Sequence, residues 1–247
     1  DVMYYVTWSE GFRPGLLNRP VGSSNADGTY TVKPEVKSDE VTNLEFGWKT
    51  VLQDGRLRFN GSAFMVDVSG LQSTIFDPSI VNLFFSDNAA DADITGVEGD
   101  FIYYTNIDGL VVSGAFSSLD TEITKSLVPT DDVVVGSDLA FAPGSQANLT
   151  VRKEWGMSSG KVGHFQLQMS RSAKSFSDIM APNKAVQKSN HFLNMRYGMS
   201  NDEWNAELYI DNVTDKRAEI SNTFVFDRSR LTVIKPRTLG LRYKRSF

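Results

Sequence analysis

Apolar and polar residues alternate along this chain in run after run, and that period of two decides what it can fold into. Leu44, Phe46, Trp48 and Leu52 oppose Glu45, Gly47 and Lys49, while Ala147, Leu149, Val151 and Trp155 oppose Asn148, Thr150, Arg152 and Glu154. Phe165, Leu167 and Met169 are set against His164, Gln166 and Gln168, and Leu193, Met195 and Tyr197 against Asn194 and Arg196. Trp204, Ala206, Leu208 and Ile210 face away from Asn205, Glu207, Tyr209 and Asp211. The chain closes the same way: Leu239, Leu241 and Tyr243 on one side, Gly240, Arg242 and Lys244 on the other, then a terminal Phe247. Successive side chains of a strand point to opposite faces, so each run is a strand with one greasy and one wet side.

About ten such runs are separated by connections that alternate in length. Short turns fall at 53–55, 106–109, 156–160 and 200–202; long polar stretches fill roughly 9–39, 72–91, 123–144, 174–188 and 214–234. Asn60-Gly61 looks like a hairpin turn but sits inside the run 56–68. Short turns at one rim and long loops at the other are the layout of an outer-membrane barrel.

A soluble sandwich would show the same period, so the wet and dry faces need independent evidence. The runs last about 9–13 residues, which matches a tilted strand crossing a bilayer rather than the roughly five or six of a soluble strand. Trp48, Tyr103, Trp155 and Trp204 sit near predicted short turns, where an interfacial aromatic girdle belongs. The charges on the apolar faces, Lys153 and Arg245, fall at the rim, where facing lipid costs little.

Composition narrows the function. Charged residues make up 22% of 247 residues, and no apolar stretch is long enough for a membrane helix. A net charge of −5 gives no reason to expect nucleic acid, and the absence of cysteine excludes thiol chemistry and zinc–thiolate sites. Asp1-Val2-Met3-Tyr4-Tyr5 opens directly in a strand-like run without a signal peptide, which reads as a piece of a longer chain.

Several segments then resemble the C-terminal half of a TonB-dependent outer-membrane receptor. Ser9-Glu10-Gly11-Phe12-Arg13-Pro14 is similar to that family's loop-entry motif. Lys33-Pro34-Glu35, with Asn43-Leu44-Glu45-Phe46-Gly47-Trp48-Lys49, resembles its proline-glutamate turn and following strand. Asn88 through Gly96-Val97-Glu98, the run Asp211-Asn212-Val213-Thr214-Asp215-Lys216, and Pro236-Arg237-Thr238 to Phe247 resemble later strand entries and the closing strand. The resemblance covers the whole chain. Arg245 stands where the family often carries an aromatic, which implies a weaker assembly signal, and Ala218 replaces another aromatic.

The resemblance implies an all-β fold: an antiparallel transmembrane β-barrel fragment, the C-terminal part of a 22-stranded barrel. Residues 1–247 would form that part, with the plug domain and N-terminal strands absent. It implies active uptake of a scarce solute, such as a ferric siderophore, cobalamin or carbohydrate, in the bacterial outer membrane. The implied partners are outer-membrane lipid, the missing plug, the TonB complex, the barrel assembly machinery and a small-molecule ligand, with no cofactor and no metal. Leu239, Leu241, Tyr243 and Phe247 would be the assembly signal.

No catalytic constellation stands out. His164 and His191 read as solvated lumen or rim residues, and Asp131-Asp132 with His191 has no spacing that recommends a protease. Asp87, Asp91 and Asp93 lack the glycine and spacing of a calcium loop. Lumen-facing Arg152, Glu154, Arg196, Glu207, Asp211 and Arg242 either contact substrate and plug or pair across strands. Phe76, Phe84 and Phe85 lie in an apolar stretch of a long outer loop; they either stack on a ligand ring or pack against neighbouring loops. Two other classes fit the alternation: a self-standing small barrel acting as a passive pore or structural protein, and a soluble carbohydrate-binding β-protein.

Overall fold

The computed structural model describes residues 1–18, 31–76, 84–225 and 228–246. Ten long strands form one sheet: β1 (Val2–Arg13), β2 (Asp39–Leu52), β3 (Leu57–Phe76), β4 (Phe84–Tyr104), β5 (Leu110–Ser126), β6 (Ser145–Gly156), β7 (Val162–Ser172), β8 (Asn190–Ser200), β9 (Trp204–Asp211) and β10 (Thr238–Arg245). Each pairs antiparallel with its neighbours in sequence, and β1 and β10 form the two edges, so the sheet is an open wall. A small hairpin, Glu219–Val225 with Arg228–Val233, stands between β9 and β10.

The short turns form as their residues dictate. At the β2–β3 turn Gln53, Asp54 and Gly55 all take positive φ (53°, 55° and 89°), and the Arg56 N–H donates to the Gln53 carbonyl. Asp and Gly tolerate that conformation. Asn60-Gly61 lies inside β3, where Gly61 leaves room for the Trp48 ring from the neighbouring strand.

Register joins the apolar stripes into one surface. Val112, Val151, Leu167, Met195, Ile210 and Leu239 sit opposite one another in successive pairs from β5 to β10. A one-residue slip anywhere would turn a stripe to the wrong side. This surface is not a dry centre. Leu208 is 54% exposed and Leu239 73%; Leu149 is exposed, and Leu167 and Leu193 are half-buried. A soluble β-protein hides such residues, so the third reading fails on this face. Trp155 and Tyr197 approach to 6.2 Å and Trp204 and Tyr243 to 6.4 Å near the short turns, while the Lys153 ammonium reaches the Asp108 carbonyl there.

Several expectations need correction beyond the membrane. The stretch 72–91 is not a polar loop throughout: β3 runs to Phe76 and β4 starts at Phe84, and β5 continues to Ser126. These strands exceed the expected length because the outer connections build a small core of their own. Among the described residues, Val32, Ile75, Phe85, Ala89, Ala90, Ile123, Val128, Val133, Ile179 and Met180 pack together above the sheet. Ile123 is fully buried.

The motif residues at 9–14, 33–35 and 88 tie these connections down. Asp39 accepts from Arg13 Nε at 3.0 Å and from the Gln72 N–H at 3.2 Å. Asn88 donates to the carbonyls of Gly70 and Lys37 at 2.6 and 3.0 Å, and Lys33 lies 3.2 Å from Asp87. Just after β9, the Asn212 side chain donates to the carbonyls of Lys216 and Lys235 and so fixes the approach to β10.

Candidate functional site

Opposite the apolar surface is a concave polar face with a cavity of about 880 Å³. Its β1–β4 part carries Tyr5, Lys49, Asn60, Glu98 and Asp100. Tyr5 donates its hydroxyl to Glu45 at 2.7 Å and Asn60 donates to Asp100 at 3.3 Å.

Across β6–β10 the same face holds the six charged residues picked out by alternation, and the structure brings them into two groups. Arg152 pairs with Glu154 at 2.8 Å and donates to Gln166 at 3.1 Å. Glu207 is the hub of the second group: it receives Arg196 at 3.4 Å, Arg242 at 3.1 Å and His164 at 3.2 Å, and Arg196 also reaches Asp211 at 3.2 Å. The Tyr209 ring lies between the Arg196 and Arg242 guanidinium groups, 5.7 and 5.6 Å from them. A carboxylate only 11% exposed beside two guanidinium groups is well compensated, which a lone buried charge is not.

His164 is a correction. It is not a solvated lumen residue but is 2% exposed, because its ring fills the space over Gly198 on the adjacent strand. His191 is exposed, on the apolar side at the outer rim. Among the described residues, no hydroxyl is hydrogen-bonded to either histidine.

The aromatic loop residues are corrected too. Phe85 is 5% exposed, inside the outer core, and Phe84 is half-buried, so neither is freely offered to solution. The side chain of Phe76, residues 77–83 and Phe247 lie outside the described residues. Leu239, Leu241 and Tyr243 are exposed along the outer side of the edge strand. Asp87 and Asp91 are held by Lys33 and by the Gly70 N–H, and no acidic or histidine group that could hold a metal occurs among the described residues.

The outer end of the cavity is lined by residues that the alternation did not single out: Phe141, Phe192, Lys188 and Ile220. Phe192 carried a signal, being an aromatic on the polar side of β8 between Asn190 and Asn194. Phe141 had none. Its φ of 55° is unusual for a bulky residue and is fixed by its N–H donating to the Phe176 carbonyl at 2.7 Å.

An open antiparallel wall, greasy outside, wet and charge-paired inside, with extended strands at one rim, defines a section of a transmembrane β-barrel. Residues 1–213 match the family model described as TonB dependent receptor-like, beta-barrel, and the chain belongs to that family. Its barrels are bacterial outer-membrane proteins, and the family and its structural neighbours are receptors and transporters, not enzymes.

The fold is similar to that of the ferric yersiniabactin uptake receptor FyuA of Yersinia pestis (TM-score 0.78, 17% identity, covering 100% of this chain and 35% of that one). It is also similar to BauA, the ferric preacinetobactin receptor of Acinetobacter baumannii (TM-score 0.70, 18% identity, 98% and 33%). The unliganded ferric citrate transporter FecA matches at TM-score 0.65 and 16% identity, over 85% of this chain and 32% of that one. The chain thus spans about a third of the length of these receptors. No curated protein matches the sequence.

Proposed function

We propose that this chain is the C-terminal part of the barrel wall of a receptor that takes up a ferric siderophore through the outer membrane. One observation carries the reading: a wet concave face ends, at the outer rim, in a mouth of aromatic, aliphatic and cationic side chains (Phe141, Phe192, Ile220 and Lys188). Flat or ring-bearing anionic chelates suit such a mouth, since rings stack on aromatics and charge is met by an ammonium. The siderophore and ferric citrate receptors among the neighbours favour this substrate class over cobalamin or a carbohydrate.

In this reading a plug domain fills the concavity against Glu154 and Arg242, the more exposed members of the ion-pair groups. The TonB complex drives the plug, and the assembly machinery reads the closing strand with Leu239, Leu241, Tyr243 and Phe247. A passive pore is disfavoured because the family model over residues 1–213 is that of a TonB-dependent receptor barrel.

The test is uptake by cells carrying the full-length protein. Radio-iron on several siderophores, labelled cobalamin and labelled oligosaccharides are offered with and without functional TonB. Iron accumulation that requires TonB is the expected result. Accumulation of cobalamin or oligosaccharide alone overturns the substrate class, and entry independent of TonB overturns active transport.

A further inference from the structure

The inward side of the wall is charged in two blocks, with an uncharged panel between them. Glu45 and Lys49 on β2 and Glu98 and Asp100 on β4 make one block; Arg152, Arg196, Glu207 and Arg242 belong to the other. Register lays out the panel across β5–β8. Its middle row is Ala115, Asn148, Ser170 and Phe192, each the partner of the next. The inward residues two positions up and two positions down each of these strands are all serine, threonine, asparagine or glutamine. Asp100 meets the middle row from β4, and Arg152 and Arg196 stand in the next row down, so the panel is bounded by charge. Strand rise and strand spacing make it roughly 13 Å tall and 14 Å wide.

The panel leads down from the mouth, since Phe192 belongs to both. At its head, Gln187 lines the cavity and is only 6% exposed. Ser175 Oγ donates to one end of the Gln187 amide at 2.8 Å, and the other end is buried without a partner. Turning the amide over only exchanges which end is left. Asn190 Oδ1, at the outer end of β8 in the same lining, is likewise buried and unpartnered. Such groups cost stability that an entering hydrogen-bonding solute recovers. Below them, the uncharged groups exchange water for solute with little net gain or loss. Charge-assisted bonds are about twice as strong, so the flanking blocks would hold or repel a charged chelate.

We propose that the solute descends along this panel of β5–β8, taken over from the mouth by Gln187 and Asn190. The inference rests on the uptake function proposed above and adds the route. A plug held by charge at Glu154 and Arg242 finds no charged anchor on the panel, so this is the stretch of wall from which it parts most readily. The panel also leaves room: Ala115 and Ser170 are short, where the flanking blocks carry Lys49, Glu98 and Arg152.

The test uses cells carrying the full-length receptor and radio-iron complexes of a hydroxamate (ferrichrome), a catecholate (enterobactin) and citrate. Surface binding is read without functional TonB and uptake with it. S170W and A115W are expected to bind the accepted complex as the wild type does, while uptake falls to the level of cells lacking TonB. T7W, on the inward side of β1 opposite Glu45 and away from the panel, is expected to leave both unchanged. Q187L is expected to lower binding and uptake together by about fivefold, the worth of one hydrogen bond. Heat-dependent gel migration reports that each variant has folded. If the tryptophan variants fail to fold, S170C and A115C are assembled first and then blocked with a membrane-impermeant thiol reagent, with T7C as the control; the chain has no cysteine of its own. Undiminished uptake in the blocked panel variants overturns the route, as does an equal loss at Thr7 or a loss of binding along with uptake at Ala115 and Ser170. An unchanged Q187L overturns the handover. No TonB-dependent uptake by the wild type overturns the uptake function itself.

Discussion

Replacing Glu207 with alanine tests whether the inner wall is held by its charge hub. The carboxylate is 11% exposed and serves three partners, His164, Arg196 and Arg242. After the substitution Arg196 keeps Asp211 at 3.2 Å, but Arg242 keeps only the face of Tyr209 and His164 loses its hydrogen bond in a dry site. Removing one side of a buried pair costs about 3–5 kcal/mol. Arg242 is 52% exposed and the concave side is wet, so the cost here is about 2–3 kcal/mol. That is roughly a thirty- to hundred-and-fifty-fold change in the folding equilibrium. The comparison is Glu154→Ala, whose pair with Arg152 is 47% and 35% exposed and is expected to be worth at most about 1 kcal/mol. Urea unfolding of the full-length protein in lipid vesicles measures both, and a double-mutant cycle with Arg242→Ala isolates the coupling. Equal midpoints for the two variants, or no coupling between Glu207 and Arg242, would refute the hub.

Three further outcomes follow from other parts of the wall. Leu208→Arg puts a charge on the lipid side and is expected to cost about 2–4 kcal/mol, read as lost folding efficiency into vesicles; an effect near zero would mean that this side does not meet lipid. Ile123→Ala empties the outer core and is expected to cost about 2–5 kcal/mol, with hydrogen exchange rising together near residues 89–90, 123–133 and 179–180; a rise confined to residue 123 would contradict a shared core. Burial raises the Asp178 carboxyl above the ordinary aspartate range, against the opposing N–H bonds of Met180 and Ile179. Its contribution to stability is therefore complete below the unfolded value of about 3.9 and is lost as pH rises through the raised one. Acidification from neutral pH is expected to slow exchange around Ile179 in the wild type relative to Asp178→Asn, and identical pH profiles would count against it.

The sequence was legible wherever neighbours along the chain do the packing. Ten strands, their two faces, the short turns and the interfacial Trp residues follow from a period of two and from turn chemistry, and the Asn60-Gly61 decoy was resolved by the alternation around it. The outer core was not legible. Val32, Ile75, Phe85, Ile123 and Ile179 come from four different connections, and nothing in a local window brings them together. Gln72 and Asn88 read as loop polarity, whereas their amides cap carbonyls of neighbouring connections. His164 misled for a related reason: alternation gives its face correctly, but burial depends on Gly198 one strand away. The mouth was visible only at Phe192, where an aromatic interrupts a polar stripe.

The joint outer core has a consequence for anything arriving from the medium. Four connections resting on one nucleus behave as a single brim, so pressing on one transmits to the other three. A solute engaging this side of the entrance meets a stiff lintel, and an insertion tolerated in an independent loop would here unseat its neighbours as well.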